Sequence, residues 1–145
     1  DDVESRGLGD VYKRQMQIWL SLLQNFRPDA AKKTVVSRAR NDAVARAIMT
    51  YVQAHYKEEI TIDSIAEAVH YSPGECCRLF KRVTHDTIFS YIRLYRITQA
   101  SKLLRETGLS VEGIATECGF ASASYFISAF KKCLKTTPLR YRNGA

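Results

Sequence analysis

The sequence predicts an all-helical protein built around a duplicated two-helix motif, and three observations lead there. Apolar residues recur at three- and four-residue steps over most of the chain. No apolar alternation of period two runs to a useful length, so strands are not expected. Finally, Ile65-Ala66 with Val69 returns 49 positions on as Ile114-Ala115 with Cys118, and Tyr71 returns as Phe120. Past the turn, Phe80-Lys81 returns as Phe130-Lys131 and Tyr91 as Tyr141, now 50 positions on, so the second copy has gained one residue in its turn. Two copies are too few for a solenoid, which leaves a duplicated supersecondary unit.

The elements follow in order. Asp1 to Gln15 shows no periodicity that continues, precedes the first methionine at Met16, and looks like read-through from a cloning adapter; residues 1–15 are read as a non-native or disordered leader. From Met16 to Phe26, Ile18, Trp19, Leu22, Leu23 and Phe26 make a short amphipathic helix with nothing to pack on, as the tail of a missing upstream domain or a dimerisation helix would. Arg27 to Arg40, with Pro28 and paired lysines, reads as a linker, so residues 16–40 form a remnant helix and linker. Asn41 or Asp42 would cap a helix over Ala43 to Tyr56 whose inner side is Val44, Ala47, Ile48, Tyr51 and Val52. Helices are then expected at Ile62 to Val69, Pro73 to Thr84, about Thr87 to Thr107, Val111 to Cys118 and Ser122 to Leu134, with a final short turn from Pro138.

Each copy is therefore a short helix, a tight turn and a second helix, the helix-turn-helix arrangement. Ile65-Ala66 and Ile114-Ala115 supply the small and branched residues that let the second helix cross closely. Ser72 before Pro73 is an N-cap with proline at the first helical position, and Ser122 can cap the second copy. Helix N-termini capped in this way present amide hydrogens and a positive dipole end, which suit a phosphate.

Helical phase places Cys76, Leu79, Phe80 and Val83 inward on the first such helix and Gly74, Cys77, Arg78 and Lys81 outward. On the second, Phe126, Ala129, Phe130 and Cys133 face in, and Ala123, Ser124, Ile127, Ser128 and Lys131 face out. Arg78 has the length and fork to bond a guanine edge bidentately, and an outward Ile127 suits a thymine methyl or a neighbouring helix.

Charge agrees with that surface. The chain carries net charge +7 with a pI of about 9.4, which makes polyanions its default partners. Seven basic residues (Arg78, Lys81, Arg82, Arg93, Arg96, Lys102, Arg105) stand against Asp86 alone from 78 to 105. Five more (Lys131, Lys132, Lys135, Arg140, Arg142) stand unopposed from 131 to 142. These clusters follow each reading helix, where phosphates would lie, and mark Lys81, Arg82, Arg96, Lys131 and Lys132 with the capping Ser72 and Ser122 as phosphate contacts. The helix between the copies, roughly 30 Å long, is close to one turn of B-DNA and would hold two reading helices in successive major grooves.

These residues resemble the AraC/XylS class of transcription regulators over about 100 residues, from Asn41 to Arg142. The resemblance rests on IAEAVHYSP from Ile65 to Pro73, RLFKR from Arg78 to Arg82, Tyr91 through Arg96-Ile97 to Ala100, and, most specifically, IATECGF from Ile114 to Phe120. It continues through Ser124 to Phe126, Phe130 to Lys132, Thr137-Pro138 and Tyr141-Arg142. It implies a domain over 41–142 with the seven-helix tandem helix-turn-helix (homeodomain-like) fold and a long connecting helix, beside the short N-terminal helix. Its implied partners are double-stranded DNA, RNA polymerase for an activator, and a second copy bound through the missing upstream domain. Base-facing positions of the class fall on Gly74, Cys77 and Arg78 and on Ala123, Ser124, Ile127 and Ser128. His70, His85 and Lys135 stand where the class usually has glycine, so any left-handed backbone there carries a cost. Ser128 stands where arginine is frequent, and short side chains shift specificity toward DNA shape.

Two rival classes each draw on part of the sequence. Cys76 and Cys77 with His70 and His85 nearby suggest a metal- or redox-responsive protein, but adjacent cysteines on a helix point opposite ways and cannot readily share one ion. A module that only binds proteins would show no salt-dependent binding to duplex DNA. No nucleophile-base pair, carboxylate pair or phosphate loop suggests an enzyme, and no cofactor is implied. Four cysteines without a C-x-x-C spacing fit a reducing cytoplasm, and the apolar runs fall short of a membrane span.

Overall fold

A computed structural model describes residues 33–144, which form seven helices and no strand among the described residues. They are α1 (Lys33–His55), α2 (Ile62–Val69), α3 (Pro73–Thr84), α4 (Ile88–Glu106), α5 (Val111–Glu117), α6 (Ala123–Leu134) and α7 (Pro138–Arg142). The leader at 1–15, the helix expected over Met16 to Phe26 and the first part of the linker lie outside the described residues.

Two compact units divide the chain. The described part of the first is residues 33–55 and 60–91, and of the second residues 56–59 and 92–144. In the first, α1 packs on α2 and α3 around Val44, Ala45, Ile48, Met49, Val52, Ile65, Ala66, Cys76 and Phe80. In the second, α5, α6 and α7 gather around Ile97, Ala100, Leu104, Ile114, Phe120, Phe126 and Phe130. Each large side chain fully withdrawn from water contributes about 1.5–3 kcal/mol.

Two expectations about α1 are corrected. The helix starts at Lys33, so residues 33–40 are helical rather than linker, and Asn41 and Asp42 lie inside the helix rather than at its cap. This stretch holds neither proline nor glycine; polar composition signals exposure, and Val36, Arg38 and Arg40 are exposed, but it does not break a helix. Its buried stripe runs through Ala45 and Met49, whereas Ala47 is exposed.

The remaining boundaries fall within a residue of expectation, and local chemistry explains them. Thr61 and Ser64 form a reciprocal capping box at α2. Ser110 caps α5, and Thr137 caps α7 with Pro138 next. Three helix ends turn through left-handed residues that are not glycine: His70 (φ 62°), His85 (φ 61°) and Lys135 (φ 58°). Each amide still donates to the carbonyl four residues back, at Ala66, Lys81 and Lys131. For an L-residue this backbone costs about 1–2 kcal/mol.

Candidate nucleic-acid interface

Both reading helices begin on a serine cap. The Ser72 hydroxyl accepts from the Glu75 amide at 3.2 Å and donates to the Glu75 carboxylate at 3.0 Å. Ser122 accepts from the Tyr125 amide at 3.0 Å, and no acidic residue occupies the first turn of α6. The two N-termini therefore differ: α3 carries its own carboxylate, whereas α6 leaves its positive dipole end without one.

On α3 the core face is Cys76 and Phe80, with Leu79 and Val83 half-buried. Gly74, Cys77, Arg78, Lys81 and Arg82 are all exposed. The Arg78 guanidinium lies over Gly74, where an added methyl would stand 3.4 Å from Nη1.

On α6, Phe126, Ala129 and Phe130 are buried, and Ser124, Ile127, Ser128, Lys131 and Lys132 are exposed. Ala123, expected outward, is half-buried and packs against the core. It sits at the first helical position, directly after the Ser122 cap. Ser128, Lys131, Lys132 and Lys135 line a shallow groove of about 370 Å³. Lys135 was not among the expected contacts, although it belongs to the basic run after α6; the left-handed turn brings it to the same groove. Tyr125 was also missed: it is exposed at the start of α6, its ring 5.9 Å from Phe120.

Arg96 is a correction. Its Nε donates to the Tyr56 carbonyl at 2.9 Å and its Nη2 to the Glu58 carbonyl at 2.8 Å. The guanidinium is thus occupied by backbone and half-buried, and burial pulls its pKa below the usual value, partly offset by Tyr125 and Cys118. Charge placement along the sequence could not reveal carbonyl partners some 40 residues away. Arg142 acts similarly, donating to the carbonyl of Leu104 in the last turn of α4 and to that of Thr107 just past its end.

Cys76 is buried and Cys77 exposed, so the adjacent pair does diverge. Burial raises the Cys76 thiol, with the neighbouring Cys77 and Glu75 adding to it. The Cys118 thiol is pushed up to about 11 by burial and then by Glu117, against Lys57 and Arg96. At neutral pH these thiols hold their protons, and the thiol is a far poorer ligand and nucleophile than the thiolate.

Two capped helices, each crossing a short partner and turning a cationic face to solvent, define a tandem helix-turn-helix domain. A family model described as "Helix-turn-helix domain" matches residues 65–144. The uncharacterized HTH-type transcriptional regulator YdeC of Bacillus subtilis is 32% identical over 134 residues, covering 92% of this chain and 45% of its own length. The xylose operon regulatory protein of Escherichia coli K12 is 32% identical over 131 residues, covering 90% of this chain and 33% of its own. Among solved structures, the C-terminal domain of AraT, a response regulator from Geobacillus stearothermophilus, superimposes with a TM-score of 0.67 at 29% identity. That match covers 70% of this chain and 85% of that one. The chain belongs to the AraC/XylS family of helix-turn-helix regulators, and it spans less than half the length of the two curated relatives described here.

Proposed function

We propose that the chain is the DNA-reading part of a bacterial transcription regulator, with α3 and α6 lying in successive major grooves of one duplex. The observation that carries this reading is the repeated design of the reading helix. In both units a buried face backs an exposed one that bears cations: Arg78, Lys81 and Arg82 on α3, Lys131 and Lys132 on α6. In this reading Gly74, Cys77 and Arg78 face bases from the first unit, and Ser124, Ile127 and Ser128 from the second, with Ala123 behind them. Arg78 is the guanine reader, since its planar fork has the length to bond O6 and N7 together.

Phosphate holding falls mainly to the second unit. A phosphate at α3 would meet the Glu75 carboxylate already bound to Ser72, whereas Ser122 and the lysine groove of α6 carry no such opposition. The relatives' names as regulators support a binding protein rather than an enzyme. In this reading it works in the cytoplasm, where four cysteines without a C-x-x-C spacing suit reducing conditions. Activation through RNA polymerase and pairing through an upstream domain complete the proposal.

The test is titration of duplexes over about 50 to 200 mM salt. Lys131→Ala should weaken every duplex and reduce the salt slope by about one, while Arg78→Ala should relax preference at one base pair by about 1–3 kcal/mol. If neither variant changes binding, the surface has been assigned wrongly.

A further inference from the structure

The turn that feeds α6 is gripped by a segment that precedes both helix-turn-helix copies. Residues 56–59 follow directly on α1, yet they belong to the second unit. Their carbonyls at Tyr56 and Glu58 take both donor arms of Arg96, a residue of α4. The Tyr56 ring meets Tyr95 edge-on at 5.2 Å. From the other side Gly119, at φ 82°, approaches so closely that any side chain would overlap the Tyr56 carbonyl oxygen. It would also stand 3.1 Å from Arg96 Nε and 3.2 Å from the Lys57 carbonyl carbon. Gly119 is therefore glycine for two reasons, its backbone angle and its neighbour.

Past Gly119 the chain has only Phe120 and Ala121 before the Ser122 cap, and Phe120 is buried. Fixing Gly119 therefore fixes where α6 begins. The matching point of the first unit, His70, is left-handed too but carries an exposed side chain.

We infer that Arg96 is a positioning residue which, with Gly119, clamps the Tyr56–Glu59 segment to the turn before α6 and so couples the end of α1 to the seating of the second reading helix. The consequence for DNA rests on the reading proposed above; the clamp itself does not.

The test uses amide hydrogen exchange on the full chain with Arg96→Lys, Arg96→Met and Gly119→Ala. Lysine keeps the charge but lacks the planar fork that spans two carbonyls. Exchange should quicken at least about tenfold over 56–59 and 118–125, more for methionine than lysine, with α2 and α3 unchanged. Unchanged rates there, or an equal rise through all of α4 to α7, would overturn the inference; if the harsher variants unfold, Arg96→Lys decides. A footprint on a duplex selected from a random pool by the unaltered chain reads the function. Arg96→Lys should lose protection over one half of it, and equal loss over both halves overturns the coupling. No protection by the unaltered chain sinks the DNA reading, while exchange still decides the clamp.

Discussion

The two helix-turn-helix units share an interior and differ at their edges. Phe80 meets Tyr91 at 5.8 Å in the first, and Phe130 meets Tyr141 at 5.4 Å in the second, the same pair 50 positions apart. Thr87 and Thr137 receive the amides of Ser90 and Arg140 at corresponding helix starts. The edges part company at α3 and α6. One N-terminus holds Glu75, and the other has no acidic residue in its first turn. One turn leaves His70 in solvent, and the other closes Gly119 onto a carbonyl. Packing requires the same volumes in both copies, whereas the solvent face is constrained only by what it meets.

The strongest way to break this comparison is to empty both interiors. Phe80→Ala and Phe130→Ala should each lower the unfolding free energy by about 3–5 kcal/mol in urea titrations followed by circular dichroism. Costs that differ by more than about 2 kcal/mol would mean that the copies are alike in shape but not in energetics.

A second contrast lies at Cys118, where the first unit has Val69. Burial favours the neutral thiol, so its pKa stands above the ordinary 9.0, at about 11. Its contribution to stability is intact below about pH 9 and is lost as pH rises through about 11, because the unfolded chain gives up its proton first. Unfolding measured across that window should show a decline that Cys118→Val makes shallower; an unchanged slope would assign the decline to other groups.

The smallest effect belongs to the left-handed helix ends. His70→Gly and Lys135→Gly should each stabilise by about 0.5–1 kcal/mol, since relief of the backbone cost exceeds glycine's added freedom in the unfolded chain. Loss of stability in both would mean that their side chains hold contacts worth more than the strain.

The fold was largely legible because periodicity, caps and turns are local. Ser72-Pro73, Ser110, Ser122 and Thr137-Pro138 each announce a helix start, and the repeat places its insertion in the second turn. The structure fixes that extra residue as Ala121, between Phe120, the counterpart of Tyr71, and Ser122, the counterpart of Ser72. The start of α1 escaped because a solvated helix shows no apolar stripe. Of the candidate site, outward orientation was readable for Arg78, Ser124, Ile127, Ser128 and Lys131, and misread for Ala123.

The sequence by itself determined the helices from α2 onward, which faces carry charge and how the motif is duplicated, since these depend on spacing along one chain. Only the tertiary structure decided that Arg96 is held by two carbonyls, that Lys135 joins the groove of α6, and that Gly119 bears on Tyr56. Charge can be counted from a sequence, but a guanidinium bonds to whatever acceptor the fold brings within about 3 Å, and that acceptor can come from anywhere in the chain.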